Sequence, residues 1–118
     1  MPGWITLMIE RDELNLDDKA GQGFRPRVAS NTAELLESFD AAVASGRRSL
    51  EATSNEHLLT PWAFKMGGRP VSKEARHIMI ANAVFSHLAH HRGQLTVYLR
   101  LSEAAVPALY GPSADEQF

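Results

Sequence analysis

Three of the five histidines of this chain, His87, His90 and His91, fall within five residues in the stretch SHLAHHRGQL, residues 86–95. An imidazole can ligate a metal, handle a proton or fill a core, and spacing limits the choice. At 100° per residue, His87 and His91 stand one turn apart on one helical face, the arrangement by which two rings on a helix reach one ion. His90 falls on the flank. The competing reading is a pair of core histidines hydrogen-bonded to backbone or carboxylate, since two rings alone supply too few ligands.

Few other side chains offer chemistry. The chain has no cysteine, which excludes disulfides, zinc-thiolate clusters and a thiol nucleophile and leaves His, Asp and Glu to build any metal site. Glu10, Asp12 and Glu13 are candidates for a further ligand, set against the plainer reading of a solvated helix end. His57 and His77 are isolated and read as surface or partly packed. Trp4, Trp62 and Tyr98 read either as pocket lining or as core, and Trp62, beside Pro61 in a loop, is the best pocket candidate of the three. Gly93, inside a helix, costs about 1 kcal/mol relative to alanine and so marks close approach by another backbone or a ligand.

The 118 residues bound the chain at about one domain with a small core. Twelve Lys and Arg face fourteen Asp and Glu for a net charge of −2, spread along the chain, so neither nucleic acid nor an anionic membrane is expected as partner. The apolar run at the N-terminus is too short to span a bilayer and lacks a basic flank and a cleavage site. A soluble, cytoplasmic protein is expected.

The elements that position these residues follow from periodicity. Trp4, Ile5, Leu7, Met8 and Ile9 come without alternation after Pro2 and predict a helix over residues 4–14, one that opens without capping residues, as though the reading frame began inside an element. Residues 15–30 have loop chemistry, with Phe24 as anchor. Asn31 as N-cap, Glu34 three residues on, and Leu35, Leu36, Phe39, Val43 and Leu50 at helical spacing predict a helix from Thr32 to Ala52. Pro61, Gly67, Gly68 and Pro70 break the next stretch into a long anchored connection, with an extended pair around Gly67-Gly68 that imitates a hairpin. From Ser72 a last helix of about thirty residues, roughly 45 Å long, carries the stripe Val84, His87, Leu88, His91, Leu95 and Tyr98 toward the core. The tail is expected to be ordered where Val106, Leu109 or Tyr110 packs back.

The run HLAHHRGQLTVYLRL followed by VPALYGPSADE closely resembles the C-terminal signature of the DinB-like (YfiT/DinB) proteins. The similarity extends back through LLTPW and TAELLESFDAAV to PGW, so it covers essentially the whole chain. The resemblance implies an all-α fold, a DinB-like bundle of up to four helices with a long crossover, and one domain over residues 1–118 that lacks the family's first helix and part of its second. It also implies a divalent metal, Zn²⁺, Ni²⁺ or similar, with His87 and His91 as two of three histidine ligands. The third lies in the family a few positions before Pro-Gly-Trp, and here the chain opens on Met1-Pro2-Gly3-Trp4. By the same resemblance Arg92 and Gln94 belong to the signature, where they hold a loop or a ring's outer nitrogen.

Two functions follow as expectations. One is a metal-dependent enzyme, a transferase or isomerase acting with a low-molecular-weight thiol on a small electrophilic substrate, the metal serving as Lewis acid. The other is a non-catalytic, stress-associated or interaction protein whose metal site has lapsed. In either case apolar side chains left uncovered, each worth about 1.5–3 kcal/mol on burial, predict a homodimer or higher homo-oligomer.

Overall fold

The computed structural model describes residues 2–17 and 28–117; Phe24 lies outside them. The chain divides into two compact units, residues 1–85 and 86–118, and each is described by itself.

In the first unit the elements run α1 (Gly3–Glu10), β1 (Glu13–Asn15), α2 (Thr32–Ala52), α3 (Asn55–Leu58), β2 (Pro61–Met66), β3 (Arg69–Ala75) and α4 (Arg76–Ile80). The all-α expectation is therefore corrected: the fold is mixed α/β, with a three-stranded sheet in the order β1-β2-β3. Two local readings failed to foresee it. The first helix ends at Glu10 rather than at residue 14, because Arg11 turns extended (φ −124°, ψ 158°) and frees Glu13–Asn15 to pair in parallel with Ala63–Lys65. The last helix does not open at Ser72. That residue lies in β3, opposite Phe64, and helix begins at Arg76.

The β2–β3 pair is a hairpin whose loop is the two residues Gly67 and Gly68, at φ 59° and 71°. Two consecutive positive φ values are what a tight hairpin turn requires, and glycine adopts them without a Cβ clash. Alternation along β2 then sends Trp62 and Phe64 toward the helices and Pro61, Ala63 and Lys65 to the opposite face.

The core is Leu7, Met8 and Ile9 of α1, Leu14 of β1, Trp62, and Met79, Ile80 and Val84. Helix α2 forms where its periodicity places it. Asn31 Oδ1 accepts from the Glu34 N–H at 2.9 Å, and Glu34 Oε2 accepts from the Ser30 N–H at 2.8 Å, a reciprocal cap displaced by one residue from the expected box. Its contact with α1, however, is made by small residues. Gly46 is buried, and a Cβ there would stand 3.2 Å from the Pro2 carbonyl oxygen. Ser49 donates to Glu10 Oε1 at 2.8 Å, and the Thr6 and Ser45 hydroxyls lie 3.1 Å apart. Leu35, Leu36, Phe39 and Leu50, expected on the core face, are exposed.

Past α4 the chain stays helical through a π-helical stretch, Ala81–Ser86, into α5 (His87–Leu101). The second unit is α5 with the tail behind it. Polar bonds order this tail. Arg100 grips both carboxylate oxygens of Asp115, at 2.6 and 3.1 Å, Asp115 Oδ2 also accepts from the Val106 N–H, and Glu116 Oε2 accepts from the Ala108 N–H. Tyr110, expected to pack back, is 94% exposed. Among the described residues no helix is long and apolar enough to cross a membrane.

The Arg100 hydrogen bond first, and the Val106 N–H second, hold the Asp115 carboxyl below its ordinary value, while the same bond raises Arg100. A carboxylate whose value is lowered by folding contributes fully above its unfolded value and loses that contribution as pH falls through the folded one. The Val106 amide resonance is therefore expected to keep its folded position down to about pH 3.9, the ordinary aspartate value, and to collapse only below it. Asp115→Asn should release it at neutral pH, and a Val106 amide unmoved by either change would show that the carboxylate does not hold it.

Candidate histidine centre

The three clustered histidines all sit at the start of α5, which has no N-terminal side-chain cap because the helix continues from the π-helical stretch. The His87 and His91 rings are stacked, 4.5 Å between centroids and 28° between planes. His90 stands edge-on to His91 at 5.2 Å and lies 6.2 Å from His87. His91 Nδ1 donates to Gln94 Oε1 at 2.8 Å. That bond fixes the tautomer and leaves the Nε2 lone pair of His91 available to a ligand.

The stripe is expected to face the core, but Val84 is buried in the first unit, while His87, Leu88, His91, Leu95 and Tyr98 are exposed in the second. Val84 lies inside the π-helical stretch Ala81–Ser86, whose i→i+5 bonding winds more slowly than 100° per residue, so the residues of the stripe do not share one continuous α-helical wheel. Among the described residues nothing lies within 4 Å of a Cβ built on Gly93, so none of them makes the close approach its glycine suggested.

The three carboxylates considered as a further ligand each have other partners. Glu10 accepts from Ser49, Asp12 pairs with Arg76, and Glu13 pairs with Lys65 Nζ at 2.6 Å. Among the described residues no group of three or more His, Asp or Glu is gathered for a metal ion. His57 donates from Nε2 to the Ile9 carbonyl at 2.8 Å, tying α3 to α1, and His77 Nδ1 bonds the Leu58 carbonyl at 3.1 Å. Both are partners of backbone, as isolated histidines usually are. Trp62 is not a pocket residue: it is wholly buried at the centre of the core, while Trp4 packs against the core edge and Tyr98 is exposed.

The residue that sequence reasoning missed is Arg76. It is 2% exposed, and its guanidinium gathers four acceptors. Nη1 donates to the Met8 carbonyl at 2.6 Å and to the Arg11 carbonyl, Nη2 to Asp12, and Nε to the Thr60 hydroxyl at 2.9 Å. It thereby caps the C-terminal carbonyls of α1 and fastens them to the end of the sheet. No local pattern marks it, because all its partners are distant in sequence. No protein-family model, curated protein or solved structure matches the chain, so what the histidine pair does must be argued from its own geometry.

Proposed function

We propose that the chain binds a divalent cation, Zn²⁺, Ni²⁺ or a similar ion, through His87 and His91, and that it is a DinB-like protein acting as a thiol-dependent transferase or isomerase. The observation that carries this reading is the stacked pair one helical turn apart, with the His91 tautomer held by Gln94. A bound cation supplies Lewis acidity that favours the thiolate form of a small thiol. The chain's own part is to present two neutral imidazoles from one rigid helix and to orient one of them through Gln94, as outer-nitrogen partners of metal-ligating histidines do. Because a ligand nitrogen must be unprotonated, acid competes with the ion.

A second reading, a non-catalytic interaction protein with a lapsed site, is favoured by a different observation. Within the second unit, helix α5 buries no side chain among the described residues and presents Leu95, Val97, Tyr98 and Leu101. Both readings call for a second copy of the chain or more over such a face.

Native mass spectrometry with Zn²⁺ or Ni²⁺ reads metal content and assembly together. The expected result is a dimer or larger species carrying metal that is lost in His87→Ala and in His91→Ala, with affinity about ten- to a hundredfold weaker in Gln94→Ala. Metal-free protein under excess ion would exclude the metal reading and leave the interaction protein. A monomer would exclude the assembly. Thiol transfer that persists unchanged in the presence of a chelator would exclude the enzyme as proposed.

A further inference from the structure

The outer face of the sheet, away from the core, holds a cleft of about 630 Å³. Three cations and two carboxylates line it: Lys65, Lys73 and Arg76 against Asp12 and Glu13. The carboxylates are each assigned to one cation, Asp12 to Arg76 and Glu13 to Lys65. Lys73 is left over, with no carboxylate at ion-pair distance among the described residues. In a chain of net charge −2, the cleft thus carries one uncompensated positive charge.

Strand register explains how that charge comes to overlook open space. Glu13, Ala63 and Lys73 are directly opposite one another across β1, β2 and β3, so a methyl group stands between two charged side chains. Glu13 leans diagonally to Lys65, which leaves the space over Ala63 beside Lys73. Pro61 and Pro70 continue an apolar floor on either side of it. At one end the floor is closed by the buried guanidinium of Arg76. Of its five N–H donors four have the acceptors described above, and the second hydrogen of Nη2 has no acceptor among the described residues.

We propose that this cleft binds a small organic carboxylate with an apolar body, its charge on Lys73 and its body over Pro61, Ala63 and Pro70. The site is separate from the histidine pair and does not depend on it. Charge alone would admit any anion, and the apolar floor is what selects a carboxylate of this kind over a compact, strongly hydrated ion.

The test is a titration of the full chain, followed by amide chemical shifts at constant ionic strength, with benzoate, acetate and inorganic phosphate as probes. Benzoate is expected to give saturating shifts at Ala63, Gly68 and Lys73 and to bind more tightly than acetate or phosphate. Lys73→Gln should weaken it about tenfold, the size of one charge-assisted hydrogen bond. Lys73→Arg should restore it, and Arg47→Gln, on the exposed surface of α2, should leave it unchanged. Linear, unsaturating shifts, equal affinity in Lys73→Gln, or phosphate binding as tightly as benzoate would each overturn the proposal. Lys73 is exposed in an edge strand, so the variants are expected to fold, and the dispersion of the core amides checks that they do.

Discussion

Arg76→Met should destabilise the first unit by about 2–3 kcal/mol, chiefly the cost of leaving the buried Met8 carbonyl without a donor at roughly 1–3 kcal/mol, with a smaller loss at the part-buried Arg11 carbonyl. Asp12→Ala should cost about 1 kcal/mol or less. The contrast follows from burial: the guanidinium is 2% exposed and the carboxylate 92%. Water can take the place of Asp12 at the surface, but nothing of comparable reach can replace the three donors that bind Met8, Arg11 and Thr60. Urea unfolding of the two variants measures this directly as a shift of midpoint at constant slope. Equal losses would mean that Arg76 acts chiefly as half of an ion pair; a large loss for Arg76→Met alone identifies it as the clamp on the α1 terminus.

At Trp62 the expectation is equally unequal. Removing the whole side chain in Trp62→Ala opens a large void among Met8, Leu14, Met79 and Ile80 and should cost about 3–5 kcal/mol. Trp62→Phe should cost far less than its lost area suggests. The indole Nε1–H is buried and has no hydrogen-bond partner among the described residues, and deleting an unsatisfied donor returns roughly 1–3 kcal/mol of desolvation cost. Denaturation of the pair decides the matter, because a Phe variant as unstable as the Ala variant would mean that the nitrogen is bonded to an internal water.

What the sequence shows well is what neighbours in the chain decide. Helix α2 has its cap and its N-terminal boundary within four residues of Asn31, and the Gly67-Gly68 turn follows from the dihedral needs of two adjacent positions. What it hides depends on partners far away. Glu13–Asn15 has no alternation to mark a strand and becomes one because Ala63–Lys65 offers it an edge. Ser72–Ala75 has residues a helix accepts and is extended because β2 pairs with it. Gly46 and Ser49, three apart on α2, do carry a legible signal for close helix contact, though the larger Leu35, Leu36 and Phe39 draw attention to the wrong face. For the histidines, spacing places His87 and His91 together, while no periodicity announces the π-helical stretch that precedes them.

The parallel pairing of β1 with β2 also sets an order of assembly. The β2–β3 hairpin closes over two residues, whereas Glu13 must find Ala63 across fifty positions, at an entropy cost that grows with the length of chain enclosed. Local contacts form in microseconds and distant ones wait for them. The hairpin and α4 are thus the platform, and the N-terminal segment arrives last, as the strand that completes the sheet and the helix end that Arg76 is waiting to hold.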